Sequence, residues 1–209
     1  MILEKARNIF NEKGLDLTLD VLAREMGLTK GRITNHFSTK ERLFQAILAS
    51  YEWQLAEFVK HFNWPSRQLN FEHLGLYISG VMDVQYENRC GIAYIALIGE
   101  EKYEIAESVQ VNYKRNLHSI RQRTEAMVAA GLLVPGILRK RDFQVFTFMI
   151  VNLLTTWVIS AQQYERSISY ASLKPAYLEG VMQCYFPYLA EEGEKQYEKL
   201  NFSKLARNG

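Results

Sequence analysis

The stretch from Thr18 to Phe44, TLDVLAREMGLTKGRITNHFSTKERLF, constrains the fold of this 209-residue chain more than any other. Leu19, Leu22, Ala23 and Met26 recur at i, i+3, i+4 and i+7, which is one apolar face of a helix. Thr18 stands where an N-cap hydroxyl belongs, and Gly27 where a C′ glycine ends the helix in the left-handed conformation. Thr29 can cap a second, short helix with Ile33 and Phe37 inward and Leu28 filling the turn. Ser38 and Glu41 have the spacing of a capping box, which starts a third helix at Ser38. Two helices joined by a tight glycine turn, here at about residues 18–37, make a helix-turn-helix, whose second helix enters the DNA major groove.

Charge follows the same pattern. Between Thr29 and Arg42 stand four basic residues, Lys30, Arg32, Lys40 and Arg42, against the single acid Glu41. Thr18, Thr29, Lys30, Gly31, Arg32, Thr34, Asn35, His36 and Lys40 are the expected DNA-binding residues, being side chains that reach phosphates or base edges, or a glycine that lets backbone approach them. Lys40, at a helix N-terminus with free N–H groups, is expected to hold a phosphate. A small helical hairpin with a solvated basic face is the structural alternative.

These residues resemble the tetracycline-repressor (TetR) family of bacterial transcription regulators. The resemblance runs over about the first 48 residues: Ala6 and Phe10, Gly14, Thr18, Leu22-Ala23, Gly27-Leu28-Thr29, Gly31, His36-Phe37, Ser38, Lys40-Glu41 and Leu43. The family usually has a tyrosine two residues after the position of Arg32, where this chain has Thr34, and some members carry a basic N-terminal arm not seen here. The resemblance implies an all-α fold in which an N-terminal three-helix DNA-binding domain precedes a larger helical domain that binds an effector and makes a homodimer. On that pattern the expected domains are residues 1–48, 49–190 and a polar tail at 191–209.

The rest of the chain also reads as helical. The helix from Ser38 carries Leu43, Phe44, Ile47, Leu48, Tyr51, Leu55, Phe58 and Phe62 at helical spacing and is expected to reach about Asn63. Further helices are expected at Phe71–Gln85, Ile92–Ile98, Glu104–Ala130, Arg141–Glu165 and Leu173–Leu189, with breaks at Asn88–Gly91, Gly99–Lys102, Gly131–Gly136 and Ser167–Ser169. A net charge of +2 places the basic surface locally rather than overall. Cys90 and Cys184 are too few for a disulfide framework or zinc site, and the first helix, with Glu4 and Glu12, is no signal peptide; a reduced cytoplasm is expected. No phosphate loop, metal-binding spacing or nucleophile elbow is present, so no catalytic residue, metal or cofactor is expected and the chain reads as a non-enzyme.

Aromatic residues spread over the later helices suit an apolar cavity. Phe58, Phe62, Tyr86, Cys90, Tyr94, Tyr113, Phe146, Met149 and Asn152 are its expected lining, with ordinary core packing the other reading for any one ring. Asn152, an amide in an apolar helix, needs a partner in a ligand, a neighbouring helix or another subunit. In Tyr113–Arg123, the cations Lys114 and Arg121 share a helix face with His118. It reads as a solvated face, with a carboxylate-bearing effector as the second reading.

Phe143–Ala161 is 19 residues without a formal charge, near the length of a membrane span, but its Gln, Asn, Thr and Ser side chains favour burial in the protein or at a subunit contact. The helix Arg141–Glu165 is apolar nearly all round and Leu173–Leu189 carries an apolar stripe beside Leu178, Met182 and Phe186, so Phe148, Val151, Val158, Tyr177, Val181, Cys184, Tyr185 and Tyr188 are expected at a homodimer contact. The expected partners are therefore a pseudo-palindromic double-stranded operator, a small, largely apolar effector that releases a repressor from it, and a second copy of the chain, with no membrane. The reading from another class is a small-molecule-binding or interaction protein whose DNA-reading unit has degenerated, which Thr34 keeps open.

Overall fold

The computed structural model describes residues 2–64, 69–98 and 103–208, without the side chains of 97–98, 103–110, 112 and 208. Eleven α-helices occur among them: α1 (Ile2–Lys13), α2 (Leu19–Glu25), α3 (Lys30–Thr34), α4 (Lys40–His61), α5 (Phe71–Glu87), α6 (Arg89–Ile98), α7 (Tyr103–Ala129), α8 (Lys140–Tyr164), α9 (Tyr170–Met182), α10 (Glu191–Tyr197) and α11 (Phe202–Asn208). Short 3-10 helices at Pro135–Leu138 and Gln183–Tyr188 complete the set, and no strand occurs among the described residues. The protein is all-α. The expected break at Gly99–Lys102 lies outside the described residues.

Two compact units form: residues 1–60 with 84–108, and residues 61–83 with 109–209. In the first, Ala6 and Phe10 of α1 meet Leu22, Ala23 and Met26 of α2, Ile33 of α3, and Leu43, Phe44, Ile47 and Leu48 of α4. Cys90 and Tyr94 of α6 complete this core. The Tyr94 ring stacks flat on Phe44, centroids 4.1 Å apart, and the tilted Phe10 ring lies 4.7 Å from Phe44. Truncating a ring so placed removes about 3–5 kcal/mol.

A polar network ties α1 to the junction between α5 and α6. Asn11 Nδ2 donates to Glu87 O at 2.7 Å, while Asn11 Oδ1 accepts from the Cys90 N–H at 2.9 Å. Buried Asn88 donates to Gln54 Oε1 and Val84 O and accepts from Arg7 at 3.3 Å. Here the expected break at Asn88–Gly91 shrinks to Asn88 alone, because side chains satisfy the helix ends that a loop would leave to water.

In the second unit α8 and α9 pack together, with Phe146, Val158, Leu178, Val181 and Tyr185 buried. The expected continuous helix to Leu189 ends instead at Met182 and tightens into a 3-10 turn over Gln183–Tyr188, where Pro187 offers no N–H. The region from Glu191 onward, expected as a polar tail, is helical. It forms α10 and α11, and Leu205 is 3% exposed beside Gly75. Buried Lys174 holds Asp83 Oδ2 and Ala206 O, each at 2.8 Å, and Ser79 Oγ donates to Leu205 O at 3.0 Å. The polar composition of this segment conceals its spaced anchors Tyr197, Phe202 and Leu205.

Within the single chain the apolar helix α8 is buried on one side only. It is long and apolar enough to cross a membrane, but only 28% of its most apolar window is buried. Phe146, Ile150, Trp157 and Val158 face the core, whereas Val145, Phe148, Met149 and Leu153 are exposed.

Candidate nucleic-acid interface

Local chemistry sets the reading element. Thr18 Oγ1 accepts the Val21 N–H at 3.3 Å and caps α2. At the other end Gly27 takes φ +68°, its N–H bonds Arg24 O and the Leu28 N–H bonds Ala23 O at 2.8 Å. This pair of bonds is a Schellman closure, and the positive φ is why glycine stands there. Thr29 Oγ1 then accepts the Arg32 N–H at 3.3 Å, and α3 begins.

Only Ile33 of α3 is buried, and it keys the helix into the core. Gly31, Arg32, Asn35 and His36 are exposed, as are Thr18, Thr29 and Lys30. Arg32 and Asn35 stand three residues apart at the same end of α3 as His36, so a guanidinium, an amide and an imidazole share the outward end. The Thr34 hydroxyl donates to Gly31 O one turn back at 3.3 Å.

Three details differ from the expected site. The cap of α4 is Thr39, whose Oγ1 accepts the Arg42 N–H at 3.2 Å; the helix starts at Lys40, and Ser38 lies outside it. Glu41 is then one residue short of the capping-box position. Lys40 does not extend freely from this helix end. Its Nζ donates to Leu15 O and lies 5.8 Å from the Phe10 ring, bracing the loop between α1 and α2. Lys30 is ion-paired with Asp20 of α2 at 2.7 Å, a partner that the basic pattern of the segment hides.

The expected ligand lining is divided between the two units. Cys90 and Tyr94 belong to the core beneath the reading helices; burial pushes the Cys90 thiol up to about 12, so it stays neutral, and its Sγ lies 3.6 Å from Arg7 O. Tyr86 lies under the Arg89 guanidinium at 4.2 Å, and Phe58 is half-buried in the same unit. In the other unit Phe62 packs edge-on to Trp64 and Tyr77, and Phe146 is enclosed by Tyr185 and Tyr188. Met149 and Asn152 are exposed, and the Asn152 amide donates back to Phe148 O at 2.6 Å. Tyr113 is 49% exposed. Helical spacing identified these residues as apolar without giving the direction in which each helix turns.

The expected dimer residues divide likewise. Val158, Val181, Cys184 and Tyr185 are at most 3% exposed and are used inside the protomer. Val151, Tyr177 and Tyr188 are partly buried, and Phe148 is 69% exposed.

A capped helix, a glycine closure and a second helix with a bare polar face define a helix-turn-helix protein of the all-α class. Residues 2–47 match the model of the bacterial regulatory proteins, tetR family. Over this N-terminal region the chain is similar to the tetR family. Over 55 residues it is 40% identical to the uncharacterized HTH-type transcriptional regulator TtgW of Pseudomonas putida; the match covers 26% of this chain and 41% of that relative, so it spans about two fifths of the curated protein. The whole fold is similar to a TetR-family transcriptional regulator from Marinobacter aquaeolei VT8, with TM-score 0.81 and 18% identity over 98% of this chain and 96% of that one. SmeT in complex with triclosan is similar at TM-score 0.60 and 16% identity, covering 91% and 90% of the two chains. AmtR of Mycobacterium smegmatis gives 0.61 and 16%, covering 99% and 89%.

Proposed function

We infer that the protein is a homodimeric DNA-binding transcriptional regulator, a repressor that leaves a pseudo-palindromic operator when a small, largely apolar effector binds. The observation that carries the reading is α3: Ile33 locks it into the core while Arg32, Asn35 and His36 remain outward and exposed. Arg32 and Asn35 suit guanine and adenine edges respectively, and Thr18, Thr29, Lys30 and Lys40 suit phosphates. Lys30 and Lys40 must first exchange Asp20 and Leu15 O for the DNA backbone.

The open face of α8 supports the dimer. Val145, Phe148, Met149, Asn152, Leu153 and Thr156 follow one another at i, i+3, i+4, i+7, i+8 and i+11, all exposed. Phe186 is exposed as well. A symmetry mate laid on this stripe gives an isologous helix contact, with an expected area above about 1,200 Å² in total. Operator reading requires such a pair to hold its two α3 helices about 34 Å apart, one turn of DNA. The complex of SmeT with triclosan supports an apolar compound as effector.

The test is a titration of the full chain against the intergenic DNA upstream of its own gene, beside a scrambled duplex of equal length. Selective binding to the upstream DNA is the expected result. Equal binding to both duplexes at every salt concentration removes the regulator reading.

A further inference from the structure

Between α7, the 3-10 turn at Pro135–Leu138 and the first turns of α8 lies an open groove of about 420 Å³. Tyr113, Leu117, Leu138 and Phe143 supply its apolar wall, and Arg121 and Lys140 its cations. This volume lies within the range of about 300–1,000 Å³ that holds small molecules.

The cations are placed differently. The Arg121 guanidinium lies over the Phe143 ring at 5.0 Å, and its Nε bonds Glu125 at 2.9 Å. Held by a ring and a carboxylate, it loses little freedom when it meets a further anion. Lys140 has no carboxylate partner among the described residues, and exposed Arg139 and Arg141 flank it. The N-cap of α8, Arg139, makes no side-chain capping bond, so the first N–H groups of this 25-residue helix add positive potential at the same end, offset in part by Asp142 in the first turn. Arg121 and Lys140 against Glu125 leave one net positive charge beside an aromatic and aliphatic wall.

We propose that this groove binds an amphiphilic monocarboxylate, its carboxylate between Arg121 and Lys140 and its apolar body along Tyr113, Leu117, Leu138 and Phe143. Four apolar side chains beside paired cations discriminate against a wholly polar anion, which gains nothing from the wall, and against a neutral or cationic amphiphile, which cannot use the charges. The site deepens the effector reading above and rests on it for its biological consequence, but not for binding itself.

The experiment is isothermal titration calorimetry of the full chain with sodium octanoate, octan-1-ol and octylammonium as probes. Octanoate is expected to bind at least about tenfold more tightly than either of the others. Arg121→Gln and Lys140→Gln are each expected to weaken octanoate about fivefold, as loss of one partly exposed ion pair does. Glu125→Gln, which removes the competing carboxylate, is expected to tighten it. Circular dichroism establishes that each variant is folded, and all three sites are at the surface. Equal affinity for octanoate and octan-1-ol overturns the site, as does wild-type affinity in the folded double variant of Arg121 and Lys140. Operator binding followed in parallel separates the two readings. Octanoate that binds through Arg121 without releasing DNA leaves the groove standing and removes its role in release. DNA released by other apolar compounds, with octanoate not binding, removes the groove and keeps the regulator.

Discussion

Lys30 at the start of α3 and Asp20 in the first turn of α2 are joined across the reading element by a 2.7 Å ion pair, each side chain 55% exposed. The acid neutralises a cation on the surface proposed to meet phosphate. Asp20→Asn is therefore expected to raise affinity for every duplex by about fivefold or less and to steepen the salt dependence by about one counterion. Electrophoretic titrations at several salt concentrations check it; an unchanged slope means that Lys30 does not approach DNA.

The bracing contact of Lys40 is separable from its proposed contact with DNA. Its bond to Leu15 O braces the loop ahead of α2, so Lys40→Ala is expected to lose about 1 kcal/mol of stability, a fall of about 2–4 °C in Tm. Binding to all sequences should weaken together, whereas replacing Arg32 should alter which bases are preferred. Calorimetry and competition against randomised duplexes measure the two effects.

The α8 stripe offers a direct test of assembly. Phe148→Glu places a charge on an exposed position and is expected to give a folded monomer that no longer binds operator selectively. Val181→Glu buries a charge at a site 1% exposed and should instead unfold the protomer. Sedimentation and circular dichroism distinguish these outcomes. A Phe148→Glu protein that remains dimeric excludes this face as the contact.

Alkaline stability should report the core under the reading helices. Burial raises the Cys90 thiol from 9.0 to about 12, so the folded state holds its proton more tightly than the unfolded state. The resulting stabilisation is complete below pH 9 and is lost as pH rises from there toward 12, at about 1.4 kcal/mol per pH unit. Cys90→Ala, compared with wild type in urea melts from pH 8 to 11, should be less stable at pH 8 and show a shallower decline.

Gly193 is the clearest probe of the C-terminal helices. A Cβ built there lies 2.0 Å from Leu132 O, so backbone must meet backbone at this point. Gly193→Ala is expected to destabilise the second unit by about 1–3 kcal/mol and to open α10 to proteolysis before the rest of the chain. Limited proteolysis with mass spectrometry checks this.

What the sequence determined by itself was local. Thr18, Gly27, Thr29 and the spacing of Leu19, Leu22, Ala23 and Met26 define two helices and their turn through bonds spanning a few residues, and the structure reproduces each one. The all-α class and most helix bounds follow from the same short-range periodicity. Tertiary structure alone decided which way each apolar residue faces. Cys90 and Tyr94 joined the core of α1 to α4, Val181 and Tyr185 turned into their own protomer, and Phe148 and Met149 were left outside. Asp20 met Lys30 and Lys40 met Leu15 through the approach of separate segments. The physical reason is that helical period states that two residues share a face, while the rotation and docking of the helix, set by every other packed element, state what that face meets.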